Sequence, residues 1–571
     1  MSVQAPSTIS KTSRLVYHAA LLMIIFWSSV NFSAAQNCNC DHTITTSQVA
    51  VDGNTLHVQP GDTVCLEAGN REYLYLNNFN GDSMNRVVII NHGGEVIVQN
   101  DHHNYGIKTA HSSYFKLTGT GVDTIQYGIK ILQTMVNTNG VSFDEKSTNF
   151  EVDHLEIANT GFAGIMSKTD PKCDLSTNFG NFTQYDVIIH DNYIHNTGGE
   201  GMYVGHSSYS GYQTTCNGQP DTLYPHAIKG LRIFNNRVEE THLDGIQIGC
   251  ADEDCEIYGN KVVNYGTDGN SAHTTGIQLG GGTTGKCYNN YIAGGKGSGI
   301  MVFGTGNIVV SNNVIHDAGL NYFPADPTKR VYGIFVDDRT TVPGRYFHLI
   351  NNTIVNVKTD GIRFISLLST NSQILNNIVI HPGSLGSYST SAQSYINTAA
   401  GTSVIKTHNF MESNMNNVQF RDTLSDNFRL KSDSPLKDLG GDASSYGITF
   451  DYDSVMRPYY GTYDIGAYEQ HPENTWTGGN SSSWDDNQNW SKANIPLPED
   501  DVVIPAGTIY VPLVGASGMA CNHLTVSSGA EILISPSVDI TIYGNLTIEA
   551  GGALENSGTI YLKGNLTNLN P

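Results

Sequence analysis

Residues 235–248 read Asn-Asn-Arg-Val-Glu-Glu-Thr-His-Leu-Asp-Gly-Ile-Gln-Ile: an Asn pair, a short strand, a polar stretch, then Gly and a second strand. The phrase returns around Asp191-Asn192-Tyr193-Ile194, Gly259-Asn260-Lys261-Val262, Asn289-Asn290-Tyr291-Ile292, Asn312-Asn313-Val314-Ile315, Asn351-Asn352-Thr353-Ile354 and Asn376-Asn377-Ile378-Val379. Successive Asn numbers differ by 24 between 236 and 260, by 23 between 290 and 313, and by 25 between 352 and 377. A repeated step of this length is a solenoid period. Equivalent positions of successive coils then stack at the strand spacing of about 4.8 Å. The repeat therefore says which distant residues are neighbours.

After each Gly the pattern alternates, as in Gly245-Ile246-Gln247-Ile248 and Gly276-Ile277-Gln278-Leu279. A period of two sends Ile246, Ile248, Ile277 and Leu279 inward and Gln247 and Gln278 outward. The Asn positions suit an internal ladder of stacked amides at a turn. With 60 Gly, 39% hydrophobic and 15% charged residues in 571, the chain reads as all-β.

The Asn turn, short strand and Gly-Ile-x-Ile strand resemble the right-handed parallel β-helix proteins of the secreted bacterial polysaccharide lyase, or pectate-lyase-like, superfamily. That group includes pectate, alginate and dermatan lyases and polygalacturonases. The resemblance covers about half of the chain and implies a single-stranded right-handed parallel β-helix over residues 126–400. It implies little about chemistry, because one fold hosts many activities.

The flanks read differently. Lys11 and Arg14 before the apolar run 15–30, with Ser33, Ala34 and Ala35 after it, fit a secretory signal peptide over residues 1–35. An uncleaved membrane anchor is the alternative, but the run is short for a bilayer span. Export to the cell exterior or surface accounts for nine cysteines. Residues 36–125, with Cys38, Cys40 and Cys65, are expected to cap the solenoid and supply its first coils. Residues 401–470, with Asn427-Phe428-Arg429-Leu430 and Tyr463-Asp464-Ile465-Gly466-Ala467-Tyr468, resemble the closing segment of bacterial surface proteins. Residues 471–571 hold Trp476, Trp484 and Trp490, then Tyr543-Gly544-Asn545-Leu546-Thr547, which recurs as Lys563-Gly564-Asn565-Leu566-Thr567. This is read as a second, smaller β-solenoid that is expected to continue beyond Pro571.

A net charge of -23 argues against nucleic acid as a partner, since phosphate binding needs a positive surface. An anionic glycan then requires a locally basic patch or bridging Ca2+. A monomer that binds polysaccharide is expected.

Aligning the coils puts Gly164, Gly201, Gly245, Gly276, Gly299, Gly333 and Gly361 in one column, preceded by Ala163, Glu200, Asp244, Thr275, Ser298, Tyr332 and Asp360. Glu200 and Asp244 thus stack on adjacent coils. Two carboxylates so placed share a proton, bind a cation or work as an acid and base; otherwise they are solvated turn residues paired with Lys or His. The outward column is Met166, Tyr203, Gln247, Gln278, Met301, Phe335 and Arg363, flanked by Lys168, His206, His242 and His273. A Tyr or His base with a neutralising Lys is what β-elimination next to a uronate carboxylate requires. The catalytic candidates are Lys168, Glu200, Tyr203, His206, His242 and Asp244; the binding candidates are Gln247, His273, Gln278, Arg339 and Arg363.

Long turns follow Met166 and Val204 at one corner and carry Cys173 and Cys216, which a disulfide would join into one wall. Cys250 and Cys255 would close the next, shorter loop. Asp252, Glu253 and Asp254 within it are a weak Ca2+ candidate that lacks an EF-hand pattern and reads equally as a solvated turn. Asp337, Asp338 and Arg339 with Asp360 and Arg363 form either a salt-bridge network or a carboxylate-and-Arg sugar site. Against the resemblance, Leu243-Asp244-Gly245 matches only the first fragment of the polygalacturonase motif, and no Lys-Ser motif of the alginate and dermatan lyases is found. Two functions follow: a carbohydrate-active protein cleaving an acidic polysaccharide, by β-elimination first and hydrolysis second, or a non-catalytic surface adhesin attached through its Trp-containing domain.

Overall fold

The computed structural model describes residues 39–268, 273–319, 329–383, 394–459, 461–471, 473–498 and 500–570. Residues 1–35, where the sequence leads one to expect a signal peptide, and Cys38 lie outside the described residues. Each coil of residues 42–412 contributes to long parallel sheets. The Gly-Ile strands form a twelve-stranded sheet from Ala50–Asp52 through Ile165–Ser167, Met202–Val204, Ile246–Ile248 and Ile277–Leu279 to Ile396–Thr398. The strands on either side of the Asn turn, such as Arg232–Phe234 and Arg237–Thr241, belong to a 23-stranded sheet. Thr183–Tyr185, Ala227–Lys229 and Ala251–Glu253 add a short third face of three strands.

Both Asn positions of the repeat have a physical role. The first of each pair holds a left-handed turn, with φ of 54° at Asn235, 53° at Asn289 and Asn312, 56° at Asn351 and 58° at Asn376. Asp191 and Gly259 take the same place at 52° and 65°, residue types for which this region is affordable. The second Asn points inward. From Asn192 through Asn236, Asn260, Asn290, Asn313, Asn352 and Asn377 to Asn409, each Nδ2 donates to the Oδ1 of the next coil's Asn at 2.9–3.0 Å. The same oxygen also accepts the backbone N–H of the preceding coil's Asn, as from Asn290 to Asn313 at 3.0 Å. Buried amides are thereby satisfied along the whole stack.

The Gly column is set by space. A Cβ on Gly245 would stand 2.4 Å from Val262 Cγ1 and 2.6 Å from the Gly276 carbonyl oxygen, and the other members of the column are as crowded. Inside, Ile246, Ile277, Ile300, Ile334 and Ile362 are wholly buried in one continuous apolar stack. Each such side chain contributes about 1.5–3 kcal/mol by leaving water.

A disulfide joins Cys40 and Cys65 in the first coils. The closing segment runs along the flank of the later coils, with Phe420, Phe428, Leu430, Leu436 and Ile465 packed on Val314, Val355, Ile378 and Ile380. The outward Asn of the later pairs reaches it: Asn289, Asn312 and Asn351 donate to the carbonyls of Asp451, Phe450 and Asp464 at 3.1, 2.7 and 3.0 Å. Residues 473–568 form a second parallel solenoid of one five-stranded and two three-stranded sheets. Trp476, Trp484 and Trp490 are buried and meet edge to face, Trp490 lying 5.0 and 4.7 Å from the other two. They form a domain core rather than a surface for stacking sugars.

Candidate functional site

The register of the twelve-stranded sheet brings Met166, Tyr203, Gln247, Gln278, Met301, Phe335 and Arg363 side by side, in that order. Over this face hangs the loop after Val204, which contains an antiparallel hairpin of Tyr212–Cys216 and Gln219–Leu223. A disulfide from Cys173 to Cys216 ties it to the loop after Met166. Between this wall and the strands lies a cavity of about 410 Å3, lined among others by Ser207, Tyr209, Gln247, His273, Gln278, Phe303 and Arg339. Gln247 points outward from its strand, yet the loop covers it and leaves it 1% exposed.

Beside the cavity, Glu200 and Asp244 sit on adjacent coils, with Gly201 N–H donating to the Asp244 carbonyl at 2.9 Å. Glu200 is 2% exposed and Asp244 fully buried. One Asp244 oxygen has a structural duty: Oδ1 accepts the Thr275 N–H at 2.6 Å. Ser298 does the same for Tyr332 N–H at 3.0 Å and Asp360 for Ser394 N–H at 2.8 Å. Three members of the column before the Gly therefore cap the next coil, a role the repeat alignment alone does not reveal. The remaining oxygens, Asp244 Oδ2 and Glu200 Oε2, have no hydrogen-bond partner among the described residues. His273 Nδ1 stands 3.6 Å from Asp244 Oδ2 and 3.9 Å from Glu200 Oε1, within ion-pair range but too far for a good hydrogen bond.

These positions fix the proton balance. Burial pushes Glu200 up to about 7, the Asp244 charge adds to the rise, and His273 and Lys168 oppose it. Burial also raises Asp244, against the pull of His273 and the Thr275 N–H. Asp244 in turn raises His273. Glu200 is thus poised near neutral pH, and Asp244 and His273 are each shifted upward beside it.

A second chain of contacts adjoins it. Lys168 Nζ lies 5.2 Å from the Tyr203 ring centre and 2.7 Å from Asp170. The Tyr203 hydroxyl is 2.5 Å from Ser207 Oγ, which also accepts from Gln247 Nε2 at 2.9 Å. His206 is held neutral: burial pulls it down to about 4, and Nδ1 accepts the Ser208 N–H at 3.0 Å. Asp170, Ser207 and His226, whose Nε2 accepts Thr169 N–H at 3.1 Å, complete this environment. None of these three was among the sequence candidates, because they lie in the inserted loops where the repeat gives no register.

Other candidates have other partners, and of these only Arg339 also lines the cavity. His242 is exposed and its ring makes no hydrogen bond or ion pair among the described residues. Arg363 donates to Asn397, which also bonds Asp360, further up the sheet. Arg339 stacks on Phe303 at 3.7 Å and pairs with Asp337 at 3.1 Å, while Asp338 is bound by Ser366 and the Leu367 and Leu368 N–H groups. The expected Cys250–Cys255 disulfide does not form, and both thiols are free. Residues 251–253 are a strand of the third face, so Cys255 turns into the helix core while Cys250 Sγ contacts the His206 carbonyl at 3.3 Å. In the acidic loop, Lys229 binds Glu253 and Arg232 binds Asp254, each at 2.8 Å. Two of the three acids are thus engaged by cations, leaving Asp252 alone as a carboxylate for Ca2+.

No curated protein matches the chain. Among solved structures it is similar to the pectate lyase Pel9A, with TM-score 0.40 and 12% identity over 76% of this chain and 98% of that one. It is also similar to a lacto-N-biosidase from Eubacterium ramulus, with TM-score 0.40 and 11% identity over 62% of this chain and 63% of the other. A third is the polysaccharide lyase Pedsa3628 from Pseudopedobacter saltans, with TM-score 0.34 and 14% identity over 70% and 99%. Residues 475–569 match a family described as a domain of unknown function. Residues 223–403 match the model of the right handed beta helix region, and with the parallel strand registers and the Asn ladder this makes the central domain a right-handed parallel β-helix.

Proposed function

We propose that this is a carbohydrate-active β-helix protein that holds a polysaccharide along the Gly-Ile strand face and cleaves it by proton transfer. The observation that carries the reading is the pairing of Glu200 and Asp244, each with an unpartnered buried oxygen, beside His273 on the wall of a polar cavity. Amide, imidazole, aromatic and guanidinium groups on that wall suit the hydroxyls and faces of sugar rings. Glu200, protonated up to about pH 7, gives its proton to the leaving glycosidic oxygen as the carbon–oxygen bond breaks, and the Asp244–His273 pair takes the proton of the water whose oxygen bonds to the anomeric carbon. Lys168 is committed to Asp170 and Arg339 to Asp337, so neither cation stands ready to neutralise a uronate. That moves weight from elimination to hydrolysis.

The Tyr203–Ser207 contact beside Lys168 favours a second reading. There, Tyr203 abstracts the proton next to a uronate carboxylate and Lys168 or bound Ca2+ neutralises it. A panel of neutral and uronic-acid polysaccharides, incubated with and without Ca2+, separates the two. New reducing ends without ultraviolet absorbance support hydrolysis, and unsaturated ends support elimination. Binding with no new ends on any substrate supports the adhesin instead.

A further inference from the structure

The strand-face cavity is not the place where this acidic chain gathers positive charge. A larger cavity, of about 670 Å3, lies where the closing segment meets the C-terminal solenoid. Arg421, Lys431, Lys437 and Lys492 line it, against only Asp433 and Glu473. In a protein of net charge -23 with 30 Lys and Arg in all, four cations converging on one cavity are a local concentration of positive charge, although Asp500 and Asp501 behind the wall also pair with two of them.

The four differ in how they are held. Arg421, 22% exposed at its side chain, is oriented by Glu473 at 3.5 Å and Asp501 at 3.9 Å. Lys492 is fixed by Asp500 at 2.6 Å. Lys431 and Lys437 make no ion pair among the described residues. Two anchored cations and two uncommitted ones, with Ser432, Gln470 and Thr475 as neutral hydrogen-bonding groups on the same wall, suit an anion with several oxygens.

We infer that this junction cavity binds the anionic groups, carboxylate or sulfate ester, of an acidic polysaccharide. The chain's net negative charge of -23 disfavours such a polymer in general, and two uncommitted lysines beside two anchored cations make this cavity a favourable place for it to dock. The site is separate from the strand face and does not depend on cleavage there.

Affinity electrophoresis of the full chain through gels containing polygalacturonate, dextran sulfate or uncharged dextran tests this. Wild type is expected to be retarded by one or both acidic polymers and not by dextran; which of them retards it identifies carboxylate or sulfate as the preferred group. Raising the salt to 1 M, where the Debye length is about 3 Å, is expected to release it. Lys431→Glu with Lys437→Glu is expected to weaken binding by about tenfold or more, Lys431→Gln with Lys437→Gln by less, and Lys563→Glu, an exposed charge reversal outside the cavity lining, not at all. Both lysines are unpaired in ions, and unchanged circular dichroism of the Gln pair separates lost binding from lost folding. The inference is overturned if wild type ignores both acidic polymers, if dextran retards it equally, or if the Glu pair binds as wild type does.

Discussion

Glu200→Gln makes the sharpest prediction, because it tests the state of the acid without assuming any substrate. Glu200 is 2% exposed, and burial lifts it from 4.5 to about 7. In the unfolded chain it titrates near 4.3. Between those values the folded protein keeps a proton that the unfolded chain has released, so stability is complete below about pH 4.3 and declines until about pH 7. At about 1.4 kcal/mol per decade, the loss is on the order of 3 kcal/mol. With an unfolding entropy of about 2 cal/mol/K per residue over the helix of residues 42–412, that is roughly 4 °C in Tm. The assay is thermal unfolding of wild type and Glu200→Gln at pH 4.5 and pH 8. Whatever the amide itself costs is the same at both values and cancels in the comparison. The variant is expected to gain about 4 °C on wild type between pH 4.5 and pH 8. Parallel profiles would show that Glu200 titrates normally and would remove the acid from the proposed site.

Other outcomes follow from named contacts. Asn313→Ala removes bonds to Cys287 O and Asn352 Oδ1 and strands the Asn290 donors, all at 3.0 Å, so chemical denaturation should show a loss of about 3 kcal/mol or more. Cys173→Ser with Cys216→Ser opens a loop of sequence separation 43; faster tryptic cleavage at Lys172 is expected, with the helix's circular dichroism unchanged. Trp484→Ala, in a fully buried ring cluster, should cost about 3–5 kcal/mol and lower the unfolding transition of the C-terminal solenoid more than that of the helix in calorimetry.

How much was legible in the sequence depended on whether a residue belongs to the repeat. The Asn pairs and the Gly column carry both a backbone requirement and a packing requirement, and both are visible as residue type at fixed spacing. Alignment on Gly therefore placed Glu200 beside Asp244 and Tyr203 beside Gln247. It could not orient side chains in the turns. His242 and His273 stand at the same offset before the column, yet only His273 turns to the carboxylates. Nor could it see that residues 251–253 pair with 227–229 as a strand, which sends Cys255 into the core, or that Asp170, Ser207 and His226 return from inserted loops.

A crystal structure of Glu200→Gln with an oligosaccharide drawn from a substrate bound or cleaved by the wild type is the most direct test of the strand-face site. The account predicts sugar rings along Gln247 and Gln278, a glycosidic oxygen within hydrogen-bond distance of residue 200, and His273 facing the same linkage. A ligand seated on another face of the helix, with the cavity under the Cys173–Cys216 wall occupied only by water, would contradict it.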